Sequence, residues 1–481
     1  MRPREDNALY SPASRSSTAD QVGHPSFPLP MYTATDPHTG RPTGPTYPAT
    51  APAALDTALG AAAAAYAHWQ HTSPETRIRF CRKAAQSLRE RTPALAQLAH
   101  DEMGKLLPEA EAEVEKCATL CDYYAEHVLR LSRPRKVLVE GANAYVTHRP
   151  LGLILGIMPW NFPFWQAVRF AVPAVAAGNI ALLKHAPNVP GCAAALAEVF
   201  AKAGEGLSEG PLLTNLYLDD TATEALVADI RVAGVSLTGS TAAGKKVGAA
   251  AGAALKPAVL ELGGSDAYLV LADADLEVAV EACFAARRLN SGQSCISAKR
   301  LIVVDEVREA FTARLTARVE GVDTLAPMAR EDLRGQLHRQ VERSVAAGAR
   351  LVLGGLVPET PGWHYPATLL TDVRPGMPAF AEELFGPVFA IVPARDTEEA
   401  IALANDSRFG LGAAVFSRDL AAAEGIARDR LVAGAAFVND FVRSDPRLPF
   451  GGVRESGFGR ELSDEGYHAF TNAKTVYVRH P

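Results

Sequence analysis

The chain has 481 residues, 48% of them hydrophobic and 21% charged, which fits two or three globular domains better than one small core. A formal net charge of -6 argues against a nucleic-acid partner, which needs clustered Lys and Arg, and favours a small molecule. No apolar run reaches the roughly 18 residues of a membrane span; the nearest, from Leu151, is broken by Pro159, Asn161, Pro163, Gln166 and Arg169, so a soluble protein with no membrane partner is expected.

Residues 1–30 mix Pro, Ser, Asp, Arg and Gly without periodicity and read as a disordered arm. They hold no apolar signal region, and Glu5, Asp6 and Asp20 argue against an Arg-rich transit peptide. Tyr32 to Gly40 reads as a strand and a turn. From Ala53 to Leu131, Ala, Leu, Glu and Arg recur at helical spacing, predicting three or four helices with Thr72-Ser73-Pro74-Glu75 as a cap and first turn. Val137 to Arg149 and Thr475 to Val478 alternate like edge strands suited to pairing with another subunit or domain.

After Pro150 come short apolar runs, each followed by a helix-like segment: Leu151–Met158, Asn179–Lys184, Leu212–Leu218, Val232–Leu237 and Ala258–Leu262. That alternation predicts βαβ units on a parallel sheet, with a ligand site at the carboxyl ends of the strands. A second α/β series runs from Ala267 to about Asn439, without an internal repeat. The six cysteines are too sparse for a disulfide framework and point to a reducing cytoplasm. Cys117 and Cys121 share a helical face but have no companion ligands at metal spacing, so they read as packing and no metal site is expected.

Two stretches carry chemistry. Asn290-Ser291-Gly292-Gln293-Ser294-Cys295 sets a cysteine among small residues that a ligand can approach closely, making Cys295 a candidate nucleophile. The plainer alternative is a buried cysteine acting as a small hydrophobe. In Leu260-Glu261-Leu262-Gly263-Gly264 a carboxylate leaves an apolar run just before a double glycine, and Glu261 is a candidate general base. Thr238-Gly239-Ser240-Thr241-Ala242-Ala243-Gly244-Lys245-Lys246 follows a strand and opens a helix, so its amides can hold an anion. It is not a nucleoside-triphosphate loop, because Lys246 stands where a Ser or Thr would hold magnesium. The usual Gly-rich dinucleotide fingerprint is absent as well.

Together, Pro159-Trp160-Asn161-Phe162-Pro163, Thr238-Gly239-Ser240, Glu261-Leu262-Gly263-Gly264, Gly292-Gln293-Ser294-Cys295, Glu383-Leu384-Phe385-Gly386-Pro387 and Pro449-Phe450-Gly451-Gly452 resemble the aldehyde dehydrogenase superfamily from about Tyr32 onward. Leu182-Leu183-Lys184-His185-Ala186-Pro187-Asn188-Val189-Pro190 and Glu261 to Asp266 are most similar to compact bacterial succinate-semialdehyde dehydrogenases. The resemblance implies an α/β fold: a Rossmann-type cofactor domain over 31–134 and 153–261, an α/β catalytic domain over 262–439, and a small β oligomerisation flap from 135–152 and 440–481. It implies a homodimer or homotetramer. It also implies that Cys295 attacks an aldehyde to give a thiohemiacetal, with the oxyanion held by the Asn161 amide and the Cys295 backbone N–H. Hydride loss to the nicotinamide then leaves a thioester that Glu261-activated water hydrolyses. The cofactor contacts implied are Trp160, Lys184, Gly239, Ser240, Leu262, Glu383 and Phe385. Pro187 stands where many NAD-preferring relatives carry a Glu that would repel a 2′-phosphate, so the cofactor is NAD or NADP.

For the substrate, Asn161, Trp165 and Arg169 are spaced four apart, which on a helix aligns them on one face. Arg169 would then lie about 12 Å along the axis from Asn161, placing a guanidinium on the far carboxylate of a short semialdehyde. The alternative is an Arg paired with a neighbouring acid. Ser444 is a second anchor, with Arg443 and Arg447 as alternatives. Leu289 stands where some succinate-semialdehyde dehydrogenases have an Arg, and Ser297 where certain relatives have a second cysteine. The expected activity is NAD(P)-dependent oxidation of succinate semialdehyde. The alternatives are another aliphatic or aromatic aldehyde, or a cofactor-independent cysteine esterase.

Overall fold

A computed structural model describes residues 30–322 and 324–479, and the arm expected over 1–30 lies, Pro30 apart, outside the described residues. The first sheet has six strands in the order Gly457–Phe458, Ala258–Glu261, Val232–Thr238, Leu153–Met158, Ile180–His185, Leu213–Asn215. All pair in parallel except the short Gly457–Phe458 strand. Its inner strands are mostly apolar because both faces are covered; every residue of Ile180–His185 is buried, including Lys184 and His185 at its end. From Leu153–Met158 the chain steps outward through Ile180–His185 and Leu213–Asn215. It then returns to the other side of its first strand for Val232–Thr238. That reversal opens a crevice at the carboxyl ends of Leu153–Met158 and Val232–Thr238, where Trp160-Asn161 and Gly239-Ser240 follow.

Four helices, Pro52–Trp69, Pro74–Glu90, Thr92–Met103 and Leu107–Leu131, precede this sheet and share its hydrophobic core. Ser73 caps the second by accepting from the Thr76 N–H, as its place before Pro74 predicts. The second sheet has seven strands, centred on Ala298–Val304, with Asp266–Val270 next to it and then Gly412–Phe416, and with apolar clusters on both faces. A third, antiparallel sheet pairs Thr471–Arg479 with Ala142–Pro150 and that strand with Arg135–Val139. Every residue of the outer strand Arg135–Val139 is exposed, Leu138 completely. Met31–Asp36 and Arg41–Pro48 form a separate hairpin.

Two expectations need correction. The segment after residue 440 does not go wholly to the three-stranded sheet, since Gly457–Phe458 joins the first one beside Glu261. The helix after Pro163 begins only at Trp165, so Asn161 lies in the preceding loop and shares no helical face with Arg169. The start is fixed by the Glu113 carboxylate, which accepts the N–H groups of Phe164 at 2.8 Å and Trp165 at 2.9 Å.

Candidate active site

Cys295 and Gln166 line two cavities, one of about 540 Å³ and the other of about 160 Å³. The cysteine is presented by a turn in which Asn290 (φ 54°), Ser291 (φ 52°) and Gly292 (φ 72°) are all left-handed. At Gly292 a side chain would strike the Gly386 carbonyl, so only glycine fits there. The Asn290 amide ties this turn to the loop after Leu153–Met158, donating to the Asn161 carbonyl at 2.8 Å and the Gln293 carbonyl at 3.1 Å. Lys299, fully buried, donates to the Ser294 carbonyl at 2.8 Å and the Cys295 carbonyl at 2.6 Å, and lies 3.4 Å from Glu383. Burial pushes the Cys295 thiol up to about 12, opposed by the positive charges of Lys299 and Arg169.

The Asn161 side chain is 4% exposed and lines the larger cavity with Cys295. Its Nδ2 donates to the Gln293 carbonyl at 3.1 Å, which leaves the second N–H of that amide for a ligand. Glu261 ends the strand Ala258–Glu261, is 2% exposed, and has neither carboxylate oxygen hydrogen-bonded. Burial first and the neighbouring Glu461 second hold its carboxyl well above the usual range, against the pull of Arg169 and Arg460. Oε1 lies 2.6 Å from where a Cβ on Gly451 would stand, so the glycine makes room for the acid. Glu261 is not among the residues lining either cavity, and must turn toward Cys295 to act there.

The larger cavity opens at the sheet reversal and takes in Trp160, Gly239, Ser240, Leu262, Glu383 and Phe385. Ser240 caps the helix Thr241–Ala253, accepting from Ala243 N–H at 3.2 Å, so its hydroxyl sits at a positive helix end. Gly244 has no side chain, and Leu262 fills the space one would take, packing that helix onto the strand end. Trp160 and Phe385 meet edge to face at 5.7 Å across the mouth. Glu383 points inward and accepts from the Gly264 N–H at 3.1 Å. Lys184 stands apart from this lining, 9% exposed and 4.0 Å from Asp220, with its pKa lowered by burial. Lys245, the lysine of the near-match phosphate loop, is held by Glu455 at 2.8 Å. An apolar-walled cleft with a helix start, an inward carboxylate and flanking aromatics fits a dinucleotide.

The smaller cavity is lined by Trp165, Arg169 and Ser444 as expected, but the guanidinium of Arg169 is otherwise engaged. It forms a buried ion pair with Glu461, donates to Thr238 Oγ1 at 3.2 Å, and lies over the Phe450 ring. The alternative of an Arg paired with an acid therefore describes its resting state. Of the alternatives to Ser444, Arg443 is paired with Asp440 and Arg447 with Asp445, each at 2.6 Å. Sequence reasoning missed Lys116, whose ammonium is 2.7 Å from Ser444 Oγ, because it sits in a helix that no motif touches. Lys299 was within reach, four residues past the cysteine.

The pattern of the aldehyde dehydrogenase family matches residues 29–476. The chain is 48% identical over 432 residues to the succinate semialdehyde dehydrogenase [NAD(P)+] Sad of Escherichia coli, covering 88% of this chain and 93% of that protein. It is 45% identical to a probable NADP(+) succinate-semialdehyde dehydrogenase of Synechocystis, over 85% and 91% of the two chains. Among solved structures, succinic semialdehyde dehydrogenase from Streptococcus pyogenes in complex with NADP+ superposes with a TM-score of 0.90 at 33% identity, covering 93% of this chain and 100% of that one.

Proposed function

The chain belongs to the aldehyde dehydrogenase family, and within it we propose NAD(P)-dependent oxidation of succinate semialdehyde to succinate. The observation that carries this reading is Cys295 lining both a dinucleotide-shaped cleft and a smaller cavity with a cationic wall. Relatives bearing that activity in their names, at 48% and 45% identity over most of the chain, support it.

In this mechanism the Cys295 thiol gives its proton to solvent in the open cleft, and the thiolate adds to the aldehyde carbon. The new oxyanion takes the free N–H of Asn161 and the Cys295 backbone N–H, donors worth about 3 kcal/mol each in the barrier. Bound NAD(P) supplies the hydride acceptor. Trp160, Gly239, Ser240, Leu262, Glu383 and Phe385, which line the larger cavity, would hold the cofactor: Glu383 and Phe385 at the nicotinamide ribose, Gly239 and Ser240 at the phosphates, Trp160 and Leu262 beside it, and Lys184, outside that lining, at the adenosine ribose. Glu261 turns toward the thioester and takes a proton from the attacking water, releasing the acid and the thiolate. Its high proton affinity suits it to that base role. Trp165, Ser444 and Arg169 shape the substrate cavity, Arg169 through the potential of its ion pair with Glu461.

Residues 31–134 with 153–261 are the cofactor domain in this reading, 262–439 the catalytic domain, and 135–152 with parts of 440–481 the oligomerisation flap of a homodimer or homotetramer. Six free thiols fit a cytoplasmic location. The test is reduced-cofactor absorbance with NAD and with NADP on succinate semialdehyde. Turnover is expected with at least one cofactor and its loss in Cys295→Ala. Turnover unaffected by Cys295→Ala would overturn the mechanism, and no cofactor reduction would overturn the activity.

A further inference from the structure

We propose that Lys116, with the Ser444 hydroxyl, receives the carboxylate of an acid semialdehyde in the smaller cavity and selects such substrates over uncharged aldehydes. This rests on the reading above, in which the aldehyde end of the substrate reaches Cys295, and it names the residue that reads the other end.

The argument is one of charges left over. Lys116, on the helix Leu107–Leu131, lines the cavity with Trp165, Ser444 and Cys295. The other charged groups facing the same space are committed. Arg169 is paired with Glu461 and Arg443 with Asp440. Glu113 is paired with the buried Lys105 and also accepts two helix N–H groups. Asp445, which faces Lys116 from the loop carrying Ser444, is taken by Arg447. Glu109, the remaining carboxyl of the lining, is pushed toward its neutral form by burial and has one oxygen without a partner. Among the described residues Lys116 alone of the cavity's cations has no carboxylate in contact. Its polar partner is Ser444 Oγ at 2.7 Å, and its ammonium lies 4.3 Å from the centre of the Trp165 ring.

A half-buried ammonium with one hydroxyl and one ring face for company is short of acceptors. A ligand carboxylate supplies them: two further N–H groups of Lys116 remain, and Ser444 keeps an O–H to donate while it accepts. Burial and the positive charge of Arg169 push Lys116 down to about 8, so the ammonium form is still present at neutral pH and its charge is exposed to a ligand's pull. Trp165 provides the apolar stretch for the methylenes between the two ends of the substrate.

The experiment is steady-state kinetics of the full chain on succinate semialdehyde and on butanal, for wild type, Lys116→Met and Lys116→Gln. A charge-assisted contact of the usual strength predicts a KM for succinate semialdehyde raised roughly tenfold to a hundredfold in both variants, with a far smaller change on butanal. In wild type the preference for the acid substrate should fall as pH rises through about 8, and in Lys116→Met it should be flat. A wild type that prefers succinate semialdehyde, with variants that keep the preference, overturns the assignment of Lys116 and leaves the activity standing. Equal losses on both substrates overturn it in favour of a structural role. A wild type with no preference sinks the acid-semialdehyde reading itself, and the proposal with it.

Discussion

Glu261 combines three conditions that set its chemistry: full burial, no hydrogen-bond partner, and Glu461 beside it. All three favour the protonated form, so the base form is scarce at neutral pH and grows as pH rises through the raised pKa. The hydrolytic step should accelerate with pH over that window. Glu261→Gln should allow a first burst of reduced cofactor and then slow turnover by about 10²- to 10⁴-fold, seen by stopped-flow absorbance; an undiminished steady rate would remove the residue from the mechanism. Glu461→Gln takes away a like charge and leaves Arg169 unpaired, both of which lower the Glu261 pKa. The rising limb of its pH–rate profile should therefore move to lower pH. Glu261 and Cys295 stood out as candidates in the sequence because each sits in a short run of unusual neighbours, whereas Asn161 came forward only through the resemblance to the family. The engagement of Arg169 was not, because Glu461 lies near the other end of the chain and joins it only through the fold.

At the scale of elements, the turn Asn290–Gly292 joins the two large sheets, and its left-handed backbone brings Cys295 beside Asn161. Gly292→Ala places a methyl group against the Gly386 carbonyl at a φ of 72°. We expect a stability loss of about 1–3 kcal/mol, measured by denaturant unfolding, and activity lost more than stability, because the backbone N–H of Cys295 moves with the turn. Wild-type activity in that variant would show that the turn tolerates displacement. The strand–helix alternation from Leu153 to Glu261 was visible in the sequence, since buried parallel strands are apolar throughout and end at glycines and polar residues. The start of the helix at Trp165 was hidden, because spacing alone cannot show that Glu113, from a helix distant in sequence, supplies its N-terminal acceptor.

Among the described residues the strand Arg135–Val139 pairs on one side only, and every residue along it is exposed. Such an edge with an exposed Leu138 invites strand addition or apolar cover from a second copy. Wild type should sediment as an oligomer and Leu138→Asp as a smaller species; a monomeric wild type would leave this sheet without that role. The alternating residues were legible as edge strands. The residue-by-residue pairing with Thr471–Arg479 was not, for it joins segments far apart in sequence that alternation alone cannot match.

Lys299 touches the carbonyls on either side of the nucleophile's peptide and also Glu383, the carboxylate that reaches into the larger cavity. Its charge is at the same time the foremost of those drawing the Cys295 thiol toward ionisation. A ribose that engages Glu383 competes with this lysine for the carboxylate, and whatever charge is released acts on the sulfur. Through this one ammonium, filling the first cavity at Glu383 would alter the readiness of the nucleophile in the second, and by reciprocity a ligand on the sulfur would alter the hold of the first.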